Sequence, residues 1–285
     1  MDKNKVTFPH KTGTTKNNVQ WTVYTGDACE VLKQLPEQVF DCVVTSPPYY
    51  WLRDYQVEGQ IGQEDTIAQY VESISLVMTQ ALRVLKDDGV LFLNLGDTYY
   101  SGKGASQGVD KKSSKRRFGL RAVDKSGGMG IGLKQKSMIG IPWRVAINMM
   151  SQGWVLRSDI IWYRKHSLPE SVKDRPRRSY EHVFMFVKQR KYYFNRTPLV
   201  DEDQEDMWTI IARPKSTNGL STAPFPDQLV QRCLDIGCRV NGTVLDPFAG
   251  SGTVPRVAVQ SGRSATGIDL NPQYCEFMIN ELGKL

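Results

Sequence analysis

At 285 residues and 40% hydrophobic content, the chain has room for one large α/β domain with insertions and a sizeable core. Its 37 Lys and Arg against 30 Asp and Glu leave +7, a lean toward polyanionic partners; three scattered histidines and five cysteines without a Cys-x-x-Cys pair indicate neither a zinc site nor a disulfide framework and fit a reduced cytosol. No apolar run nears membrane-spanning length and no secretory leader opens the chain, so a cytoplasmic protein with neither a metal nor a membrane partner is expected.

Residues 1–20 are polar with little apolar pattern and read as an N-terminal arm, leaving 21–285 as a single domain. Alternation over 21–25 predicts a strand, followed after Gly26 and Asp27 by a helix over 28–35. Residues 42–45 are an apolar strand that runs into Ser46-Pro47-Pro48-Tyr49. Both prolines fix their own φ, and Pro47 turns Ser46 away from helical backbone. Such a rigid turn leaves the Ser46 hydroxyl and main-chain carbonyls as acceptors beside the π face of Tyr49, a combination suited to a flat, amino-bearing ring. An aromatic, glycine-punctuated loop follows over 50–62. Thr66 can cap a helix to about residue 85, with Tyr70, Ile74, Val77, Met78 and Ala81 on one face; Asp87-Asp88-Gly89 ends it, and 90–95 is a buried-type strand.

Segment 101–136 holds eight glycines, and ten Lys or Arg against Asp110 and Asp124, so the rest of the chain sums to −1. Without a sustained apolar period it reads as a long mobile loop. It follows a strand end, which makes Lys111, Lys112, Lys115, Arg116 and Arg117 candidate phosphate contacts; a second basic stretch at 173–178 adds Arg175, Arg177 and Arg178. Between them, Pro142 begins a helix to 150 and 155–163 reads as a strand, with another at 182–187. A compact region over 189–220 carries Tyr192, Tyr193, Trp208 and Arg213, and 223–236 opens with prolines and continues as an amphipathic helix containing Phe225 at its start.

Residues 243–253, Thr-Val-Leu-Asp-Pro-Phe-Ala-Gly-Ser-Gly-Thr, are a strand, a glycine turn and the start of a helix running to about 262. Gly250 and Gly252 let backbone approach a ligand, and the helix start offers unpaired N–H groups. There is no P-loop lysine and no third glycine of the dinucleotide fingerprint. The strand over 265–270 carries Asp269, 17 residues beyond Gly252, near the spacing at which an acid meets ribose hydroxyls. An acidic rim suits a positively charged sulfonium better than a pyrophosphate. Strands alternating with helices imply a doubly wound, mostly parallel α/β sheet, with both motifs at strand exits facing the ligand crevice.

Ser46-Pro47-Pro48-Tyr49 resembles the catalytic loop of the DNA amino-methyltransferases. Asp246-Pro247-Phe248-Ala249-Gly250-Ser251-Gly252-Thr253 is similar to their S-adenosylmethionine loop, and the order of the two matches the circularly permuted β group, over about 21–285. The resemblance implies a permuted, Rossmann-like methyltransferase fold. It places Ser46, Pro47, Pro48 and Tyr49 at the chemistry. Around the S-adenosylmethionine cofactor it places Asp246, Pro247, Phe248, Gly250, Ser251, Gly252, Thr253 and Asp269, with Asp27 and Ala28 at the adenine end and Phe225 over the methionine part. It further implies double-stranded DNA as substrate, with the target base rotated out of the stack and the basic residues above as DNA contacts. Residues 189–220 stand where the family inserts its target-recognition element, although they are few for that task. A homodimer and a cognate restriction endonuclease are partners the family admits. By family habit a leading Ser accompanies cytosine N4 and a leading Asp adenine N6, which favours cytosine and leaves adenine open. An RNA or small-molecule methyltransferase and a catalytically silent DNA-binding protein are the other readings.

Overall fold

The computed structural model describes residues 7–102, 122–127, 131–165, 172–211 and 226–285. In chain order its strands are β1 (His10–Thr14), β2 (Gln20–Thr25), β3 (Phe40–Thr45), β4 (Leu85–Leu95), β5 (Val155–Tyr163), β6 (Tyr180–Val187), β7 (Met207–Thr209), β8 (Thr243–Asp246) and β9 (Ser264–Asp269). The helices are α1 (Ala28–Gln34), α2 (Ile67–Val84), α3 (Ile141–Ser151), α4 (Asp227–Gly237), α5 (Thr253–Gln260) and α6 (Pro272–Leu282). One sheet runs β1-β2-β9-β8-β3-β4-β6-β5-β7. It is parallel from β2 through β4 and again between β5 and β7; β1 pairs antiparallel to β2, and β6 antiparallel to both β4 and β5.

Period-two alternation splits each central strand between two cores. Val43, Leu91, Leu93, Leu95, Phe184 and Phe186 face α1, α2 and α3. Cys42, Val44, Val90, Phe92, Val183 and Met185 face α4, α5 and α6. Three helices therefore cover each face, which is the doubly wound, mostly parallel arrangement that the alternation of elements predicts. The strand carrying the glycine motif, β8, comes late in the chain yet lies directly beside β3.

Three sequence expectations differ. Residues 10–14, read as part of an arm, form β1 and extend the sheet edge beyond β2. The helix capped by Thr66 ends at Val84, and Asp87-Asp88-Gly89 belongs to β4 rather than to a turn. Those acids are held by partners that local pattern does not reveal: Lys188 pairs with Asp87 at 3.0 Å, Arg239 with Asp88 at 2.8 Å, and the Asp88 carbonyl accepts the Tyr193 N–H. The register of β3 on β4 shifts across this stretch, which accommodates the extra residues as a bulge. The basic segment 101–136 is not loose throughout: Ala122, Val123 and Asp124 are buried, with Asp124 accepting the Ile67 N–H at the start of α2. Trp208, in the region that stands where the family inserts its target-recognition element, is a core residue of β7 whose indole donates to the Glu205 carbonyl.

The turn between β8 and α5 is locked by Gly252, at φ +83°, where an added Cβ would fall 2.4 Å from Cγ of Met278 on α6. Gly252→Ala should cost about 2–4 kcal/mol from left-handed backbone and overpacking together. Urea unfolding followed by circular dichroism would show a lowered midpoint; an unchanged one would mean that the turn relaxes without loss.

Candidate active site

The carboxyl ends of β3, β8 and β9 open on a single cavity of about 330 Å³. Parallel pairing of Cys42 with Val244 and Val43 with Leu245 brings the two motif-bearing strands out side by side. Just past that pairing, the buried Thr45 hydroxyl donates to the buried Asp246 carboxylate at 2.7 Å. Ser46, Pro47, Pro48 and Tyr49 line one part of the wall, and Asp246, Pro247, Phe248, Gly250, Ser251 and Thr253 another. Asp27, Ala28 and Asp269 complete the second part. Every expected catalytic residue, and every expected cofactor residue but two, thus borders the same space. Gly252 faces Met278 instead, and Phe225 lies outside the described residues.

In the glycine half, Asp269 accepts the N–H groups of Gly250 and Asn271, both at 2.8 Å, so the carboxylate shapes the turn as well as lining the cavity. Gly250 stands at φ +53° with nothing near the position a Cβ would occupy. Asp27 caps α1 by accepting the Glu30 N–H. Burial pushes the Asp246 carboxyl up to about 7, against the pull of Thr45 and the Phe248 N–H and with a further push from the charge of Asp269. Burial likewise lifts Asp269 to about 6. The groups that restrain both are hydroxyl and backbone donors, not cations. A buried and a half-buried acid of this kind fit a ligand that brings its own positive charge and hydroxyl donors, as a sulfonium nucleoside does.

In the proline half, Tyr70 on α2 donates to the Pro48 carbonyl at 2.8 Å and fixes the turn from behind. The Tyr49 carbonyl takes the Leu52 N–H, and no donor among the described residues takes that of Pro47. The Tyr49 hydroxyl reaches Glu181 at 2.5 Å and Asn94 at 3.0 Å, with Ser46 Oγ 3.4 Å away. Burial first, and the charge of Glu181 second, hold this phenol well above its ordinary pKa. Glu181 in turn pairs with Arg164 at 2.9 Å.

Sequence reasoning missed Asn94, Arg164, Glu181, Tyr55 and Tyr274 as wall residues. A signal existed for Glu181, a lone carboxylate in the otherwise apolar-aromatic run of β6. Tyr55 and Tyr274 meet edge to face at 6.4 Å, and burial lifts the Tyr55 phenol to about 12. Of the expected DNA contacts, Arg177 is exposed, while the guanidinium carbons of Arg175 and Arg178 stand 3.8 and 5.6 Å from the ring centre of Tyr99. Lys111, Lys112, Lys115, Arg116 and Arg117 lie outside the described residues. Among the described residues no cluster of side chains is arranged for a metal ion, and no helix is long and apolar enough to cross a membrane.

A model of the DNA methylase family matches residues 40–281. The Type II methyltransferase M.Cfr9I of Citrobacter freundii is 41% identical over 268 residues, 92% of this chain and 87% of that one. M.SmaI of Serratia marcescens is 41% identical over 261 residues, 88% and 87% of the two chains. Among solved structures, the PvuII DNA methyltransferase, described as cytosine-N4-specific, superposes with a TM-score of 0.72 at 20% identity over 96% of this chain and 89% of its own, a likeness of fold.

The raised carboxyl of Asp246 has a sign. Its folded pKa of about 7 exceeds the unfolded value of 3.8, so its contribution is favourable below pH 4 and is lost as pH rises through about 7. Asp246→Asn keeps an acceptor for Thr45 and Phe248 but no charge. Without cofactor, its Tm should gain on the wild type by about 3 °C or more between pH 5 and pH 8. A gap in scanning fluorimetry that does not move with pH would show that the carboxylate is not strained by burial.

Proposed function

The chain belongs to the DNA methylase family, and from that premise we propose that it transfers a methyl group from S-adenosylmethionine to the exocyclic amino group of a base turned out of duplex DNA, cytosine N4 ahead of adenine N6. The observation that carries this reading is the shared cavity: an amino-accepting turn and an acidic glycine turn border one space. Relatives 41% identical are named Type II methyltransferases, which supports DNA as the substrate and a restriction endonuclease as the companion activity. Ser46, rather than an acid, in the first motif position supports cytosine.

When bound, S-adenosylmethionine supplies an electrophilic methyl group on a positively charged sulfur. Asp246 and Asp269 would face that charge and the ribose hydroxyls, with Phe248, Gly250 and Ser251 along the rest of the ligand. Tyr49 offers its ring to the extruded base. Its hydroxyl is held by Glu181, and the Gly96 backbone packs against the ring so closely that a Cβ there would lie 2.7 Å from Tyr49 Cε2. Ser46 Oγ and the Pro47 carbonyl accept the two amino hydrogens, which draws the nitrogen lone pair out of ring conjugation and aims it toward the glycine half of the cavity. As the new N–C bond would form, the methyl–sulfur bond would break to leave a neutral thioether, and the amino group would release one proton to solvent. Positioning and preorganised acceptors supply the acceleration, and no cysteine takes part.

Tyr49→Ala should reduce methyl transfer about 10–100-fold, the worth of one stacking contact, while cofactor affinity by calorimetry stays within about twofold. Mass spectrometry of nucleosides from DNA treated with the wild-type protein identifies the base. N4-methylcytosine is expected; N6-methyladenine would replace the cytosine reading, and unmodified DNA would remove the methyltransferase reading altogether.

A further inference from the structure

The phenol of Tyr49 has one proton and three oxygens around it. Asn94 is fixed in sense because its Nδ2 donates to the His182 carbonyl at 3.0 Å, so its Oδ1 faces the phenol as an acceptor. Glu181 is both closer, at 2.5 Å, and charged, and its far oxygen is anchored by Arg164 at 2.9 Å. A phenol offered a neutral amide oxygen at 3.0 Å and a carboxylate at 2.5 Å donates its hydrogen bond to the carboxylate and keeps its proton. Tyr49 Oη is then left with lone pairs toward Ser46, so the Ser46 hydroxyl donates across the 3.4 Å gap. Ser46 consequently presents lone pairs, and no proton, to the cavity.

That polarity matters because a serine hydroxyl is ambivalent. Left alone, it can turn its proton toward the ring nitrogen next to the amino group, an acceptor in cytosine and adenine alike, and would then no longer accept from the amino hydrogens. We propose that Glu181 is a positioning residue for the transfer: through the Tyr49 hydroxyl it sets the direction of the chain Ser46 to Tyr49 to Glu181 and thereby makes Ser46 an obligatory acceptor for the target amino group. A carboxylate at the end of the chain also polarises both hydroxyls, which strengthens Ser46 Oγ as an acceptor. The inference rests on the amino-accepting role given to Ser46 above. It gives the hydroxyl of Tyr49 a function separate from that of its ring.

The test uses the full chain, S-adenosylmethionine and a duplex DNA that the wild-type protein methylates, comparing wild type, Tyr49→Phe, Glu181→Gln and the double variant. Tyr49→Phe keeps the ring and removes the relay. Glu181→Gln keeps the shape, but its amide can turn an N–H toward the phenol and reverse the chain. Each single variant should lose about 10–100-fold in kcat, the scale of a charge-assisted hydrogen bond, with KM for DNA and for cofactor within about twofold. The double variant should be no slower than the slower single one, because both remove the same relay. Losses that multiply, or an unchanged kcat in either single variant, overturn the proposal while leaving the methyltransferase reading intact. If Glu181→Gln fails to fold, the kcat of Tyr49→Phe decides alone. No transfer by the wild-type chain on any DNA would overturn the functional reading and this inference together.

Discussion

One buried hydrogen bond, from the Thr45 hydroxyl to the Asp246 carboxylate, joins segments 201 residues apart and holds the two halves of the cavity in register. It sits where β3 and β8 stop pairing and their loops diverge, so it is the last fixed point before the chain opens around a ligand. The Asp246 oxygen that accepts from Thr45 also accepts the Phe248 N–H, so one atom orients the strand end and the turn after it. On either side, comparable ties repeat the device. Asp269 grips the Gly250 N–H, and Tyr70 grips the Pro48 carbonyl. The motif residues are therefore clamped by side chains on neighbouring elements, and positional precision is what direct transfer between two bound groups requires.

The same clamps carry a cost. Asp246 is buried and Asp269 half-buried, neither with a cation beside it among the described residues, and their carboxyls are lifted to about 7 and about 6. A protein selected for stability alone would place neutral acceptors there. Strain of this kind is relieved when a cationic ligand enters, so the free energy withheld from the empty fold returns as affinity. The glycine turn and its acids are best understood together: the turn provides room, and the acids provide the field.

Much of this was legible in the sequence because it is local. Strand alternation, the Thr66 cap, the Pro-Pro rigidity and the two glycines each follow from a few neighbouring residues, and the two motifs mark strand exits that an open α/β sheet must gather at one edge. What escaped was nonlocal. β1 forms because β2 offers an open edge, not because His-Lys-Thr-Gly-Thr is a strong strand. Asp87 and Asp88 sit in β4 because Lys188 and Arg239 reach them from distant elements. Glu181 enters the site because β6 runs antiparallel between β4 and β5, which brings the start of β6 level with the end of β4, where Asn94 lies. A pattern of alternating strands and helices does not predict that reversal.

The basic segment is tied to the scaffold at its described ends. The chain leaves β4 and returns to α3 through a paired neck: Asp97 accepts the Gly140 and Ile141 N–H groups, Tyr99 bridges Met138, and Tyr100 exchanges backbone bonds with Lys136 and Ser137. Further along, the Tyr50 hydroxyl donates to the Val123 carbonyl at 2.7 Å, and Lys125 N–H donates to the Asp65 carbonyl. Closing the ends of an excursion removes most of its influence on the scaffold, since further length between fixed ends adds little entropy cost. Because Tyr50 adjoins Tyr49, the same contact also backs the Pro-Pro turn. The described ends of the segment are thus fixed to the scaffold, while the residues that line the cavity take their geometry from strand ends.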